Sequence, residues 1–119
     1  MAKHNEFGKK GEQLAIDFLL KKGYSILEKN YRYLKAEVDI IAQNGEILAI
    51  VEVRSRSTDF IENIAETVTK KKMQLQIIAA DHYVTDLDLD VEVQFDIITI
   101  RKDKTDYIIN HIENAYYHF

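Results

Sequence analysis

The sequence predicts an α/β fold with a mixed central sheet, in the order helix, three strands, helix, two strands. Three observations carry that reading. An apolar stripe at helical spacing opens the chain, a two-residue hairpin signal joins two strand patterns, and a second helical stretch separates that hairpin from two closing strands.

Phe7, Gly11, Leu14, Ala15, Phe18 and Leu19 fall on one face of a helix over roughly residues 5–22. The run "KKGY" ends it at Gly23, a residue that accepts the left-handed backbone of a helix stop. "YSILEKNYRYL" reads as a strand of mixed alternation. "AEVDIIAQ" and "EILAIVEVR" follow as two more, separated by Asn44 and Gly45, the pair that best supports a tight hairpin. Ile47 to Val51 are all apolar, as in a strand buried on both faces, so this is the middle strand of the sheet. Residues 55–65 read as a loop. "ETVTKKKMQLQIIAADHYV" is the second helix, with Val68, Leu75, Ile78, Ala79 and His82 on or near its inner side, and "VEVQFDIITI" and "DYIINHI" are the closing strands.

With 119 residues, 46% of them hydrophobic, and no proline, repeat or low-complexity run, the chain is expected to form a single domain over residues 1–119. The absence of cysteine removes disulfides and thiolate metal sites. No window approaches the ~20 apolar residues that span a bilayer, and "MAKHNEFGKKGEQLA" lacks the apolar core of a signal peptide, so the expectation is a cytoplasmic protein without membrane contact. The net charge of −4 argues against a nucleic-acid partner only until its distribution is considered. Residues 1–72 hold 13 Lys/Arg against 11 Asp/Glu, whereas residues 73–119 hold 3 against 9.

Glu52 and Arg54 end the middle strand on one face, because they are two residues apart. With Asn44-Gly45 as the turn, Gln43 faces Glu46, Asp39 faces Ile50 and Glu37 faces Glu52, all on the same side of the sheet. Cross-strand Cβ neighbours are ~5 Å apart and diagonal ones ~7–8 Å, so Glu37, Asp39 and Glu52 form a cluster of carboxylates. Such a cluster destabilises a sheet unless a cation compensates it, and Mg²⁺ suits carboxylates unaccompanied by thiolate or histidine. Arg54 then aims a fixed positive charge at any anion held there. The structural alternative turns Glu37 outward, pairs Glu52 with Arg54 or a lysine, and has Asp39 cap a backbone group.

Lys70, Lys71 and Lys72 open the second helix and with Arg56 either touch phosphates beside this site or form a solvated face. "DLDLDVEV" lacks the glycine and glutamate of a calcium loop and reads as a polar lead-in to a strand. His4, His82, His111 and His118 share no ligand spacing and read as structural, while Tyr116, Tyr117 and Phe119 pack or fray.

Several blocks in order resemble the YraN-like bacterial family of the PD-(D/E)xK nuclease superfamily, similar to the Holliday-junction resolvases. "GKKGEQLAIDFLLKKGY" is similar to its Gly-x-x-Gly-Glu helix, "NYRYLKAEVDIIA" to its Asn-x-Arg…Gly-Glu-(Ile/Val)-Asp segment, and "IVEVRSRS" to its Val-Glu-Val-Lys-x-Arg strand. "TVTKKKMQLQIIAADHYV", "QFDIITI" and "HIENAYYHF" extend the resemblance over nearly the whole chain. It implies a restriction-endonuclease-like core, a Mg²⁺ ion (Mn²⁺ as a substitute) held by Asp39 and Glu52, and Glu12 as the helix acid that completes the site. Glu12 also has a rationale of its own, since Gly8 and Gly11 beside it would let the helix approach the sheet closely.

Three positions depart from the family pattern: Ala36 replaces a glycine, Gln94 an arginine and Arg54 the superfamily lysine. The last bears on chemistry, because arginine stays protonated and serves only as an electrostatic clamp on phosphate. The leading expectation is a metal-dependent endonuclease acting on DNA, branched DNA included, with Glu12, Asp39, Glu52 and Arg54 at its centre and Arg56, Lys70, Lys71 and Lys72 on the nucleic acid. The alternatives are a catalytically disabled nuclease fold serving as a nucleic-acid-binding or protein-interaction module, and a homodimeric scaffold.

Overall fold

The computed structural model describes residues 2–56 and 68–116, with side chains from Gly8 onward. The expected order is observed: α1 (Ala2–Lys21), β1 (Ser25–Tyr33), β2 (Ala36–Asn44), β3 (Ile47–Arg56), α2 (Lys70–Asp86), β4 (Glu92–Asp103) and β5 (Asp106–Tyr116). The strands lie in the order β1-β2-β3-β4-β5, so β3 is central. It pairs parallel to β4, while the other three pairings are antiparallel. From residue 57 on, the expected loop lies outside the described residues, as do Tyr117, His118 and Phe119 and the side chains of His4 and Phe7.

Both faces of the sheet are covered, which explains why β3 begins as an unbroken apolar run. Under α2, Leu48 and Ile50 pack with Val38, Ile41, Phe95, Ala79 and Tyr83; under α1, Ala49 and Val51 pack with Ala15, Leu19, Ile40, Ile98 and Ile100. Burying each large aliphatic side chain contributes on the order of 1.5–3 kcal/mol. α1 ends as its sequence requires: Gly23 has φ +100°, its N–H bonds Leu20, and the Tyr24 N–H bonds Leu19, the paired bonds of a Schellman stop.

α1 comes close to β3 at Gly11. A Cβ there would run into the Ser55 hydroxyl and stand 3.2 Å from Ser55 Cβ, so any larger residue would require Ser55 to turn away and the helix to give by a few tenths of an ångström. The same expectation does not hold for Gly8, where a Cβ would meet nothing within 4 Å.

The hairpin register differs from the expected one. Asn44 pairs with Ile47, and Gly45-Glu46 form the turn. Gly45 has φ +63° and holds the first central position, where a II′ hairpin takes its glycine. Every pair is shifted by two residues, which preserves the faces but changes the partners. Ile50 faces Ile41 rather than Asp39, and one step beyond the Ile40–Val51 pair stand Asp39 and Glu52. Glu37 does not face Glu52; it pairs with Arg32 on β1, with the charged groups 3.6 Å apart and half of the Glu37 side chain exposed.

The inner side of α2 is also rotated from the expected stripe. Its buried residues are Gln76, Ala79, Ala80 and Tyr83, whereas Ile78 is 49% exposed. His82 stacks on Tyr33 with ring centroids 3.8 Å apart. The stripe turns because Gln76 finds buried partners for its amide, which a pattern of apolar residues does not register.

Candidate functional site

β2 breaks its alternation at Asp39. Ala36 and Val38 belong to the core under α2, whereas Ile40 and Ala42 belong to the core under α1. The β2–β3 ladder ends at Ile40–Val51, and the next inward N–H of β3, that of Val53, is met by the Asp39 side chain at Oδ2, 2.8 Å away. The side chain thus lies over the edge where the two strands part.

Glu52 is almost fully buried, its side chain 3% exposed, and is held from several elements. Oε1 accepts from Gln76 Nε2 at 3.1 Å. Oε2 faces Lys72 Nζ at 2.7 Å and Arg54 Nε at 3.3 Å. Lys72 reaches it because Thr69 caps α2: its side chain accepts the Lys72 N–H at 3.1 Å and fixes the first turn. Of the three lysines that open α2, Lys72 is therefore turned into the carboxylate cluster, while Lys70 and Lys71 are exposed. Arg56 is half-buried, and its Nη1 bonds the Ser55 carbonyl at 3.0 Å.

The contacts of the structural alternative are present: Glu37 turns outward, Glu52 pairs with Lys72 and Arg54, and Asp39 takes a backbone N–H. They do not bring the charges into balance. Burial first, and then the charge of Glu52, push Asp39 up to about 7, despite the Val53 hydrogen bond and Lys72, which act the other way. Glu12 adds to the rise. Its own carboxyl is pushed up by burial and pulled back by a hydrogen bond to the Asn30 side chain. Asn30 sits within β1 at φ +52°, a left-handed conformation that costs a non-glycine residue on the order of 1 kcal/mol and tends to occur at functional sites.

Sequence reasoning missed three side chains here. Asn30 is the first residue of the Asn-x-Arg motif, a signal that was readable. Lys72, Gln76, Ala79 and Tyr83 follow i, i+4, i+7 spacing, but two polar members conceal the stripe. Tyr116, whose hydroxyl donates to Gln76 Oε1, comes from the far strand, and no local pattern marks it.

A second polar cluster lies under α1. Asp96 is fully buried; its Oδ2 is 2.8 Å from His111 Nε2, and its Oδ1 accepts the Asn114 N–H at 3.1 Å. Lys22 Nζ is 2.8 Å from His111 Nδ1. An ammonium only donates, so Nδ1 accepts and Nε2 carries the proton given to Asp96. Asp96, His111 and Glu113 offer ligand atoms within 4.8 Å of one another, but the Lys22 ammonium already supplies a positive charge there. The histidines share no spacing in sequence; it is the pairing of β4 with β5 that brings His111 to Asp96.

The profile of the uncharacterised protein family UPF0102 matches residues 11–100. A UPF0102 protein of Christiangramia forsetii is 52% identical over 119 residues, and one of Flavobacterium psychrophilum is 50% identical over 119, each alignment covering 100% of both chains. Among solved structures, Archaeoglobus fulgidus Hjc, a Holliday junction resolvase, is 12% identical with a TM-score of 0.47, covering 88% of this chain and 85% of its own. Among the described residues, no helix is long and apolar enough to cross a membrane.

Proposed function

This chain belongs to the uncharacterised protein family UPF0102, the YraN-like family its motifs resemble, and for it we propose a metal-dependent endonuclease activity on DNA, branched DNA included, in the cytoplasm. One observation carries the reading: Asp39 is drawn over the parting of β2 and β3 beside the buried Glu52, whose Oε2 faces both Lys72 and Arg54. A purely structural ion pair would leave both acids compensated. Here Asp39 is left facing a second carboxylate and a third, Glu12.

The donor set fits a hard divalent cation, since Asp39 and Glu52 offer oxygen ligands with neither sulfur nor imidazole among them. These two residues would hold Mg²⁺ or Mn²⁺, which supplies positive charge at a scissile phosphate. Arg54 clamps phosphate oxygens through a guanidinium that stays charged. Lys72 holds Glu52 Oε2 in place from α2, and Glu12 acts with Asp39 as an accessory acid. Lys70 and Lys71 are cations at the positive end of the α2 dipole, an arrangement unfavourable by about 0.3–1 kcal/mol each unless an anion such as a flanking phosphate answers it. Arg56 extends that basic rim.

The test is cleavage of branched, flapped and single-stranded DNA with Mg²⁺ or Mn²⁺ by wild type, Arg54→Lys and Asp39→Asn. Wild type and Arg54→Lys should cut, and Asp39→Asn should not. Cleavage that survives Asp39→Asn overturns the site. Arg54, standing where the superfamily has lysine, favours a second reading, a disabled nuclease fold that binds nucleic acid or protein without cutting; cleavage by Arg54→Lys alone would establish it. A homodimer is supported by the apolar patch of Leu34, 82% exposed, beside Leu75 and Ile78, and light scattering measures it.

A further inference from the structure

Glu52 has two oxygens, and which of them faces outward depends on a neighbour that touches no substrate. Gln76 is 1% exposed and connects three strands. Its Nε2 donates to Glu52 Oε1 at 3.1 Å on β3 and to the Glu37 carbonyl at 3.4 Å on β2, and its Oε1 accepts from the Tyr116 hydroxyl on β5. Both amide hydrogens and the amide oxygen are therefore used. The reverse amide orientation would set Oε1 against two pure acceptors, the Glu52 carboxylate and the Glu37 carbonyl, so two independent contacts select the one observed, and Oε1 is left to take the Tyr116 proton.

Tyr116 is itself fixed. Its ring stacks on Phe95 with centroids 5.1 Å apart at 24°, and it is 7% exposed. Burial and the charges of Glu52 and Asp96 raise its pKa, so the hydroxyl keeps the proton it donates. The chain of contacts then runs from β4 and β5 through α2 to the end of β3: ring stack, hydroxyl, amide, carboxylate.

We infer that Gln76 and Tyr116 are positioning residues: Gln76 holds Glu52 Oε1 so that Oε2 is the oxygen presented to cations, and Tyr116 acts only through Gln76, by fixing its amide. The inference rests on the reading of Asp39 and Glu52 as cation ligands. It also assigns work to the end of β5, where an isolated buried tyrosine would otherwise be core filling. Side chains that orient a metal ligand from behind typically change metal affinity by about 10–100-fold when lost.

The experiment is a set of four proteins, wild type, Tyr116→Phe, Gln76→Met and the double variant, with Mn²⁺ affinity read from the electron paramagnetic resonance of the free ion. Tyr116→Phe keeps the ring stack and removes only the donor, and thermal midpoints show which variants are folded. Each single variant should bind Mn²⁺ about tenfold more weakly or worse, and the double no more weakly than Gln76→Met, because a relay is not additive. Unchanged affinity in the singles, or losses that add in the double, overturns the relay. A wild type that takes up no Mn²⁺ overturns the metal reading instead. In that case the relay is decided by nuclear magnetic resonance: the Gln76 side-chain amide protons should exchange slowly in wild type and at least tenfold faster in Tyr116→Phe, and equal exchange overturns it.

Discussion

The two faces of the sheet carry, at the same level of β3, two buried carboxylates that meet different fates. Under α1, Asp96 accepts from His111 and Asn114, and His111 accepts in turn from Lys22, so one acid is answered by one ammonium through a closed line of hydrogen bonds. Between β2 and β3, Glu52 bonds Lys72 and faces Arg54, and Asp39 beside it is pushed up to about 7 by burial and the Glu52 charge, although Lys72 acts the other way. Burial of an acid is therefore not the signal of a functional site. The signal is burial whose charge the protein has not balanced.

The largest effect is expected from removing the balanced acid. Asp96→Ala strands the His111 Nε2–H, the Asn114 N–H and the Lys22 charge, and should cost about 3–5 kcal/mol in denaturant unfolding while leaving Mn²⁺ affinity unchanged in whatever fraction stays folded. A loss below about 1 kcal/mol would mean that the Asp96 cluster is not a fastener.

The second effect has the opposite sign. With its folded pKa raised from 3.8 to about 7, Asp39 keeps a proton in the native state that the unfolded chain has released. Its contribution is neutral below about pH 4, becomes destabilising as pH rises from 4 to 7, and stays so above 7. Asp39→Asn removes a proposed metal ligand, yet it should make the metal-free protein more stable at pH 8 by roughly 2–4 kcal/mol, with the gain fading toward pH 4. Thermal melts at both pH values in chelator check this; a variant less stable than wild type at pH 8 contradicts it.

The smallest effect lies on the rim. Lys70→Ala and Lys71→Ala should each lower the salt slope of DNA binding by about 1, with little change in stability, because each releases a counterion and neither touches the core. An unchanged slope returns both to solvated surface.

How much of this was legible in the sequence varied with the physics of each element. The helix stop at Gly23 and the burial of β3 follow from local rules, and both were read correctly. The hairpin was not, because Gly45 satisfies either a turn with Asn44 before it or one with Glu46 after it, and only packing along the strands chooses. The two-residue slip kept Asp39 and Glu52 together by preserving faces, and it carried Glu37 away to Arg32. Lys72 was grouped with its neighbours as a charge run; the Thr69 cap and the 3.6-residue turn separate it from them. The Asp96–His111 pair and the Tyr116–Gln76 contact join residues 15 and 40 positions apart, which no spacing rule relates.

Which face of the sheet holds the cation is decided by Mn²⁺ binding at pH 8 and pH 5.5 by wild type, Asp39→Asn and His111→Gln. Wild type and His111→Gln should bind alike, both more weakly at pH 5.5 because the cation must displace a proton from Asp39, and Asp39→Asn should not bind. Binding kept by Asp39→Asn and lost in His111→Gln would move the cation to the Asp96–His111 cluster on the other face of the sheet and overturn the Asp39–Glu52 site.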